Sequence, residues 1–186
     1  MRIIGGTKRG AKLETLPGEA TRPTLDRIKE AVFSMIAFDI PGAHVLDLFA
    51  GSGAIGLECI SRGASSADLV DVSKEANAVM RRNCEKLGML DSVCLYRSDW
   101  RAFLLNPAKR RRYDLVYLDP PYGEGLIRDA LILLESEDLL ADEALIVAES
   151  SAPSDFDFDL SATKIQRRKS KKYGKITVNV YRRGEV

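Results

Sequence analysis

From residue 43 onward the chain alternates short β-branched runs with stretches of helical spacing, and that alternation leaves few folds open to it. Ala43-His44-Val45-Leu46-Asp47-Leu48-Phe49 reads as a buried strand, and Gly51-Ser52-Gly53 turns it into a helix ending at Gly63. Residues 66–71 form a second strand. Ala76, Val79, Met80, Asn83 and Leu87 then recur at helical spacing, with Gly88 placed as a C-cap. Residues 93–97 and 114–118 are further strands, 126–134 a further helix, and 144–148 a fifth strand. Strands alternating with helices of this length build right-handed βαβ units, so the expectation is an α/β domain whose mostly parallel sheet is covered on both faces.

The two ends read differently. The basic segment from Pro153 to Gly174 and the run 176–181 look like two strands joined without a helix, hence an antiparallel edge. At the other end residues 1–16 read as a short hairpin, with Gly5-Gly6 and Lys8-Arg9-Gly10 as turn chemistry. Residues 24–38 form an amphipathic helix, with Leu25, Ile28, Val32, Met35 and Ile36 on one stripe and Arg27, Lys29 and Glu30 off it. The expected organisation is a small appendage over residues 1–40 followed by one domain over 41–186.

Composition removes several function classes. With 45% hydrophobic residues among 186, the chain is too apolar for disorder and long enough for a core, and no apolar run spans a bilayer. No charged-then-apolar leader opens it, and Cys59, Cys84 and Cys94 are odd in number without metal-ligand spacing. A reduced, cytoplasmic setting with no metal site and no membrane is expected. The single histidine, His44, supports neither a His-based zinc site nor a Ser-His-Asp triad and reads as a strand-start residue.

The net charge of +1 hides an asymmetry: residues 164–183 hold nine Lys and Arg and no acid, whereas 113–159 hold thirteen acids and one base. The first thirty residues are also basic on balance, and Lys109-Arg110-Arg111-Arg112 adds a compact run. Bases gathered at the two ends suit a polyanionic partner, because Lys and Arg on phosphates release counterions. A solvated basic face balancing an acidic one is the plainer alternative.

Gly51-x-Gly53-x-x-Gly56 follows a strand and opens a helix, with Asp71 twenty positions beyond Gly51. Taken literally this is a dinucleotide fingerprint. Asp47 argues against it, because it puts a carboxylate at the mouth where a pyrophosphate would lie. S-adenosylmethionine (SAM), with an ammonium, a sulfonium and no phosphate, fits that charge better. Asp71 can accept both ribose hydroxyls in either case. Close helix–strand packing alone would also explain the glycines.

Asp119-Pro120-Pro121-Tyr122 directly follows the strand 114–118, at the expected carboxyl edge of the sheet, where open α/β folds bind ligands. Two consecutive prolines fix φ and supply no N–H, which frees the carbonyls of Asp119 and Pro120 for a cleft. The Asp119 carboxylate and Pro120 carbonyl can each hold one N–H of an exocyclic amino group and draw that nitrogen toward sp³ geometry. Its lone pair then faces a sulfonium methyl, and Tyr122 offers a stacking face.

The residues 45–53, Gly56-Leu57-Glu58, Ser61-Arg62-Gly63-Ala64, the segment Arg22-Pro23-Thr24 with Asp26-Arg27 and Lys29-Glu30-Ala31-Val32-Phe33, the tetrapeptide and Tyr173-Gly174 together resemble the RsmD-type methyltransferases. The resemblance covers essentially the whole chain. It implies a Rossmann-like, seven-stranded, mostly parallel sheet with an antiparallel last strand, and SAM-dependent methylation of a guanine N2 in bacterial small-subunit (16S) ribosomal RNA, free or within a 30S particle. Asp47, Ala50, Gly51, Ser52 and Gly53 would hold the methionine end of the cofactor, Asp71 the ribose and Val72 the adenine. Ser98 and Asp99 match the stretch after the third strand, where Asp99 would accept from the adenine amino group. Asp119, Pro120, Pro121 and Tyr122 would be catalytic.

For RNA, the candidates are Arg22, Arg27, Lys169, Lys171, Lys172 and Tyr173, with helix capping or an ordinary basic hairpin as the plainer roles. The charge layout suggests a monomer docking on a large partner. Tyr96, Tyr113 and Tyr117 read as packing residues, and Glu149 either faces the cleft or ends its strand in solvent. An adenine-N6 or other amino-group methyltransferase, a nicotinamide (NAD) oxidoreductase and a non-catalytic RNA-binding assembly factor stay open as alternatives.

Overall fold

The computed structural model describes residues 1–17, 23–106, 108 and 111–184. After a short 3-10 turn at Gly6–Lys8 come α1 (Pro23–Met35), β1 (His44–Asp47), α2 (Ala54–Ser61), β2 (Ser66–Asp71), α3 (Lys74–Leu87) and β3 (Val93–Arg97). Then follow α4 (Trp100–Leu104), β4 (Tyr113–Leu118), α5 (Leu126–Ser136), β5 (Leu140–Ser150), β6 (Ile165–Tyr173) and β7 (Ile176–Arg183). One seven-stranded sheet runs in the order β3-β2-β1-β4-β5-β7-β6. β1 to β5 pair parallel, and β7 runs antiparallel to both β5 and β6.

The two strands joined without a helix form the antiparallel edge that the sequence led us to expect, with the reversed β7 paired between β5 and the outermost β6. Burial explains their order. β7 carries the buried Val178, Val180 and Tyr181, whereas β6 is exposed from Gln166 to Lys172, and its charges suit the outermost position, where they discourage further strand pairing.

Side chains alternate along each strand into two cores. Val45, Tyr117, Val147, Val178 and Val180 face one side, which the N-terminal hairpin, α1, α2 and α3 cover. Leu46, Leu48, Val116, Leu118 and Ile146 face the other, beneath α4, α5 and the stretch after β5. Ile3 and Leu13 from the first hairpin and Ile28, Val32 and Phe33 from α1 belong to the first core, so the described part of the N-terminal segment shares it with the sheet.

A buried carboxylate fastens that segment. Glu58 on α2 is fully buried and accepts the N–H of Ile4 at 2.8 Å, the N–H of Gly5 at 2.7 Å and the Arg62 guanidinium at 2.8 Å. Lys29 stands 3.3 Å from it and donates to the Arg2 carbonyl at 2.6 Å. Lys29 is only 6% exposed, so it lies inside and not off the apolar stripe as its helical position suggested; the ion pair is what makes its burial tolerable. Ser73 caps α3 by accepting from the Ala76 N–H, and Gly88 ends it at φ +66°, where a left-handed residue is needed. The short α4 was not foreseen; Asp99 caps it by accepting the N–H of Arg101 and Ala102, each at 3.0 Å.

Candidate active site

β1 and β4 are neighbours whose following helices lie on opposite faces of the sheet, α2 on the first core and α5 on the second. The chain leaves them in opposite directions and opens a cleft above their carboxyl ends. Asp47 pairs in register with Tyr117, and Tyr117 with Val147. Because side chains alternate, Asp119 and Glu149, each two residues further on, rise on the same face as Asp47 and Tyr117. Three carboxylates from three adjacent strands thus converge on one side of the cleft.

Two adjoining cavities occupy it. The first, of about 260 Å³, is lined by Asp47, Ala50, Gly51, Ser52, Asp119 and Glu149, with Asp26 and Lys29 of α1 forming the opposite wall. The second, of about 550 Å³, is lined by Asp71, Val72, Ser98, Asp99, Trp100 and Pro120. Phe49, Gly51, Asp119 and Tyr122 line both.

Asp47 is 2% exposed, and its Oδ2 accepts the Gly56 N–H at 3.2 Å. Burial pushes its carboxyl up to about 7 against that hydrogen bond, and Asp119 and Asp71 add to the rise. Glu149 is half-buried and hydrogen-bonded to both Asp119 and the Tyr117 hydroxyl. Its carboxyl is raised by burial in spite of those bonds. Tyr117 is pushed far up by burial and the neighbouring carboxylates, so its hydroxyl stays a donor. Tyr122, 47% exposed at the mouth, is raised to about 12 by partial burial and then by Asp119 and Glu149.

Asp71 already serves the fold. Its Oδ2 accepts the Gly51 N–H at 2.9 Å and its Oδ1 the Ser73 N–H at 2.8 Å. A carboxylate offers about four lone-pair sites, so one acceptor position per oxygen remains for a pair of hydroxyls. Asp99 commits Oδ1 to its helix cap. Gly53, at φ +78°, lines neither cavity; a Cβ there would stand 3.1 Å from Leu69 and from Met80, so this glycine turns the chain against the core. At Gly56 a Cβ would come within 2.1 Å of Leu69, which makes it a glycine of helix–sheet packing.

The polyanion candidates divide. The β6–β7 turn lies at the carboxyl edge, because Ser150 pairs with Thr177, and Tyr173 pairs with the cavity-lining Ile176. Lys169 and Lys171, in register with Val180 and Val178, are on the cavity side, whereas Lys172 faces the other side of the sheet. Arg27 is exposed on α1. Arg22, with Lys109 and Arg110 of the basic run, falls outside the described residues.

Sequence reasoning missed several contributors. Tyr117, read as packing, is a cavity-lining donor to Glu149. Phe49 and Trp100 stand with ring centroids 6.1 Å apart along the second cavity. Buried Asn83 accepts the Glu14 N–H at 2.8 Å and donates to the Glu14 and Ser52 carbonyls, each at 3.0 Å, tying the first hairpin to the glycine loop. Its place on the apolar stripe of α3 was the one available signal. Asp155, 2% exposed beyond β5, accepts from the Gly123 N–H at 2.9 Å and the Ser150 hydroxyl at 2.6 Å. It thereby holds the loop that follows Tyr122.

Fold and site together define a Rossmann-like protein of the methyltransferase kind: a seven-stranded sheet with a reversed last strand and a carboxylate-lined cleft at the switch point. The solved Escherichia coli protein yhhF, described as a candidate methyltransferase, superposes with a TM-score of 0.87 at 33% identity, over 99% of this chain and 98% of that one. Ribosomal RNA small subunit methyltransferase D of Escherichia coli (strain K12) is 39% identical over 150 residues, 81% of this chain and 74% of that one. YlbH of Bacillus subtilis (strain 168), a candidate rRNA methyltransferase by name, is 34% identical over 184 residues, 98% of this chain and 99% of that one. The family described as Conserved hypothetical protein 95 matches residues 1–182, and the chain belongs to it, the RsmD-type methyltransferase family.

Proposed function

We propose that the protein methylates the exocyclic N2 of a guanine in bacterial small-subunit ribosomal RNA, with SAM as donor. The observation that carries the reading is the convergence of Asp119 and Tyr122 with Asp47 on one cavity at the carboxyl ends of β1 and β4. The residues suit this cofactor: a buried carboxylate for an ammonium, two remaining acceptor positions on Asp71 for a ribose, and Val72 and Trp100 beside an aromatic base. A pyrophosphate would instead meet Asp47, Asp119 and Glu149, which disfavours the nicotinamide alternative.

SAM supplies a methyl group already activated on a sulfonium. Asp119 and the Pro120 carbonyl accept the two N–H groups of the target amine and aim its lone pair, while Tyr122 stacks on the base. Holding the amine in attack geometry is worth about 7–11 kcal/mol in well-oriented systems, so positioning is the main source of rate. Lys171 and Tyr173 near the hairpin tip, Lys169 further along β6 and the exposed Arg27 of α1 flank the cleft and dock RNA phosphates. The enzyme acts as a cytoplasmic monomer on a large RNA partner.

The test is to incubate naked 16S RNA and assembled small subunits with isotopically labelled SAM and map the label by mass spectrometry. Label on one guanine N2, lost with Asp119→Ala while RNA binding survives, is expected. Label on adenine N6 or on protein would move the acceptor, and no label on either substrate would overturn the reading.

A further inference from the structure

We propose that Glu149 is a specificity residue that reads the N1–H of the target guanine while Asp119 holds the neighbouring amino group. The inference rests on the guanine reading above and adds to it the residue that tells guanine from other purines bearing an amino group.

The placement is built into the sheet. Leu118 pairs with Ala148, so Asp119 and Glu149 are the next residues of adjacent parallel strands, about 5 Å apart across the ladder. Both line the first cavity, under the α1 wall and beside Tyr122. Burial raises the Glu149 carboxyl, and the Asp119 carboxyl and Tyr117 hydroxyl are its hydrogen-bonding neighbours along the same cavity. A carboxyl oxygen of Glu149 thus stands beside Asp119 as a second acceptor for a ligand in that cavity.

A purine amine presented to such a pair is judged by the atom next to it. Guanine carries N1–H beside its 2-amino group, and the two donors match two acceptors side by side. 2-Aminopurine and 2,6-diaminopurine keep the same 2-amino group, but N1 is a bare lone pair that would face an oxygen of Glu149. A buried acceptor set against an acceptor loses its hydrogen bond and adds repulsion, which is how polar sites reach large discrimination. Asp119 alone grips the amine in all three bases and cannot separate them.

The test uses the full-length enzyme and one RNA carrying guanine, 2-aminopurine or 2,6-diaminopurine at the methylated position. Wild type should favour guanine over either analogue by at least ~100-fold in kcat/KM. Glu149→Gln, whose amide can turn an N–H toward a bare N1, and Glu149→Ala, which leaves room for water, should both cut that ratio to below ~10-fold. Circular dichroism and SAM binding, followed through Trp100 fluorescence, should stay as in wild type for the near-isosteric Gln variant. A ratio that is small in wild type, or unchanged in the Gln variant, overturns the role of Glu149 and leaves guanine methylation standing. A wild type that does not methylate the guanine RNA overturns the reaction itself, and this inference with it.

Discussion

Lowering the pH should weaken cofactor binding through one buried group. Asp47 lines the first cavity and is raised by burial to about 7, so near neutrality it is half protonated in the unliganded enzyme. An amino-acid ammonium beside it favours the ionised form, and an α-amino group stays largely cationic below pH ~7.5. Binding must therefore expel the proton, and apparent Kd grows with the protonated fraction: about 25-fold between pH 7.5 and 5.5 for a value near 7. Calorimetric titration with SAM in buffers of different ionisation enthalpy measures both Kd and protons released. Release should approach one per site in acid and vanish above pH 8. Asp47→Asn should bind weakly with a flat pH profile.

The same shift has a consequence for the unliganded fold. Because the folded value lies above the ordinary 3.8, this group costs nothing below pH ~4, destabilises the protein progressively as pH rises from there, and reaches its full cost above about 7. Asp47→Asn should then stabilise the free protein by about 4 kcal/mol at pH 8, and by nothing at pH 4. A wild-type Kd independent of pH with buffer-independent enthalpy would refute the reasoning.

Three further outcomes are expected. Glu58→Ala strands the Ile4 and Gly5 N–H groups and leaves Lys29 buried without its counter-ion, so it should cost about 3–5 kcal/mol in denaturant unfolding, with hydrogen exchange at Ile4 and Gly5 accelerated first. Gly6→Ala would place a Cβ 1.8 Å from the Ser61 carbonyl oxygen at φ +74°, whereas Gly10 has a similar φ of +87° and open space around it. The first variant should lose far more thermal stability than Gly10→Ala, whose cost is the ~1 kcal/mol of left-handed backbone alone. Asp155→Asn should cost about 1–3 kcal/mol at pH 7. Burial raises the Asp155 carboxyl, but the bonds from Gly123, Ser150 and Gly125 outweigh it and hold it below its ordinary value. Its contribution is thus present above the ordinary carboxylate range and lost as pH falls through the lowered value, so the gap between the Asn variant and wild type should close in acid.

Much of this molecule was legible in its residues. β2 and β3 end where their apolar runs end, and the turn at Gly51, the cap at Gly88 and the tetrapeptide after β4 announce themselves because their chemistry is local. Local chemistry also put Asp47, Asp71 and Asp119 at strand ends, and hence at the carboxyl edge that a parallel sheet forces them to share.

Partnership across the chain was not legible. That Lys29 is inside depends on Glu58, twenty-nine positions away, and that Tyr117 donates to Glu149 depends on β4 and β5 lying side by side. The place of β7 within the sheet was decided by which of two hairpin strands buries more apolar surface, a comparison that neither strand's own pattern contains. Sequence determined which residues turn, extend or coil, since those preferences are settled over a few neighbouring bonds. Tertiary structure alone decided which charges face one another, because burial and register are set by elements far apart along the chain.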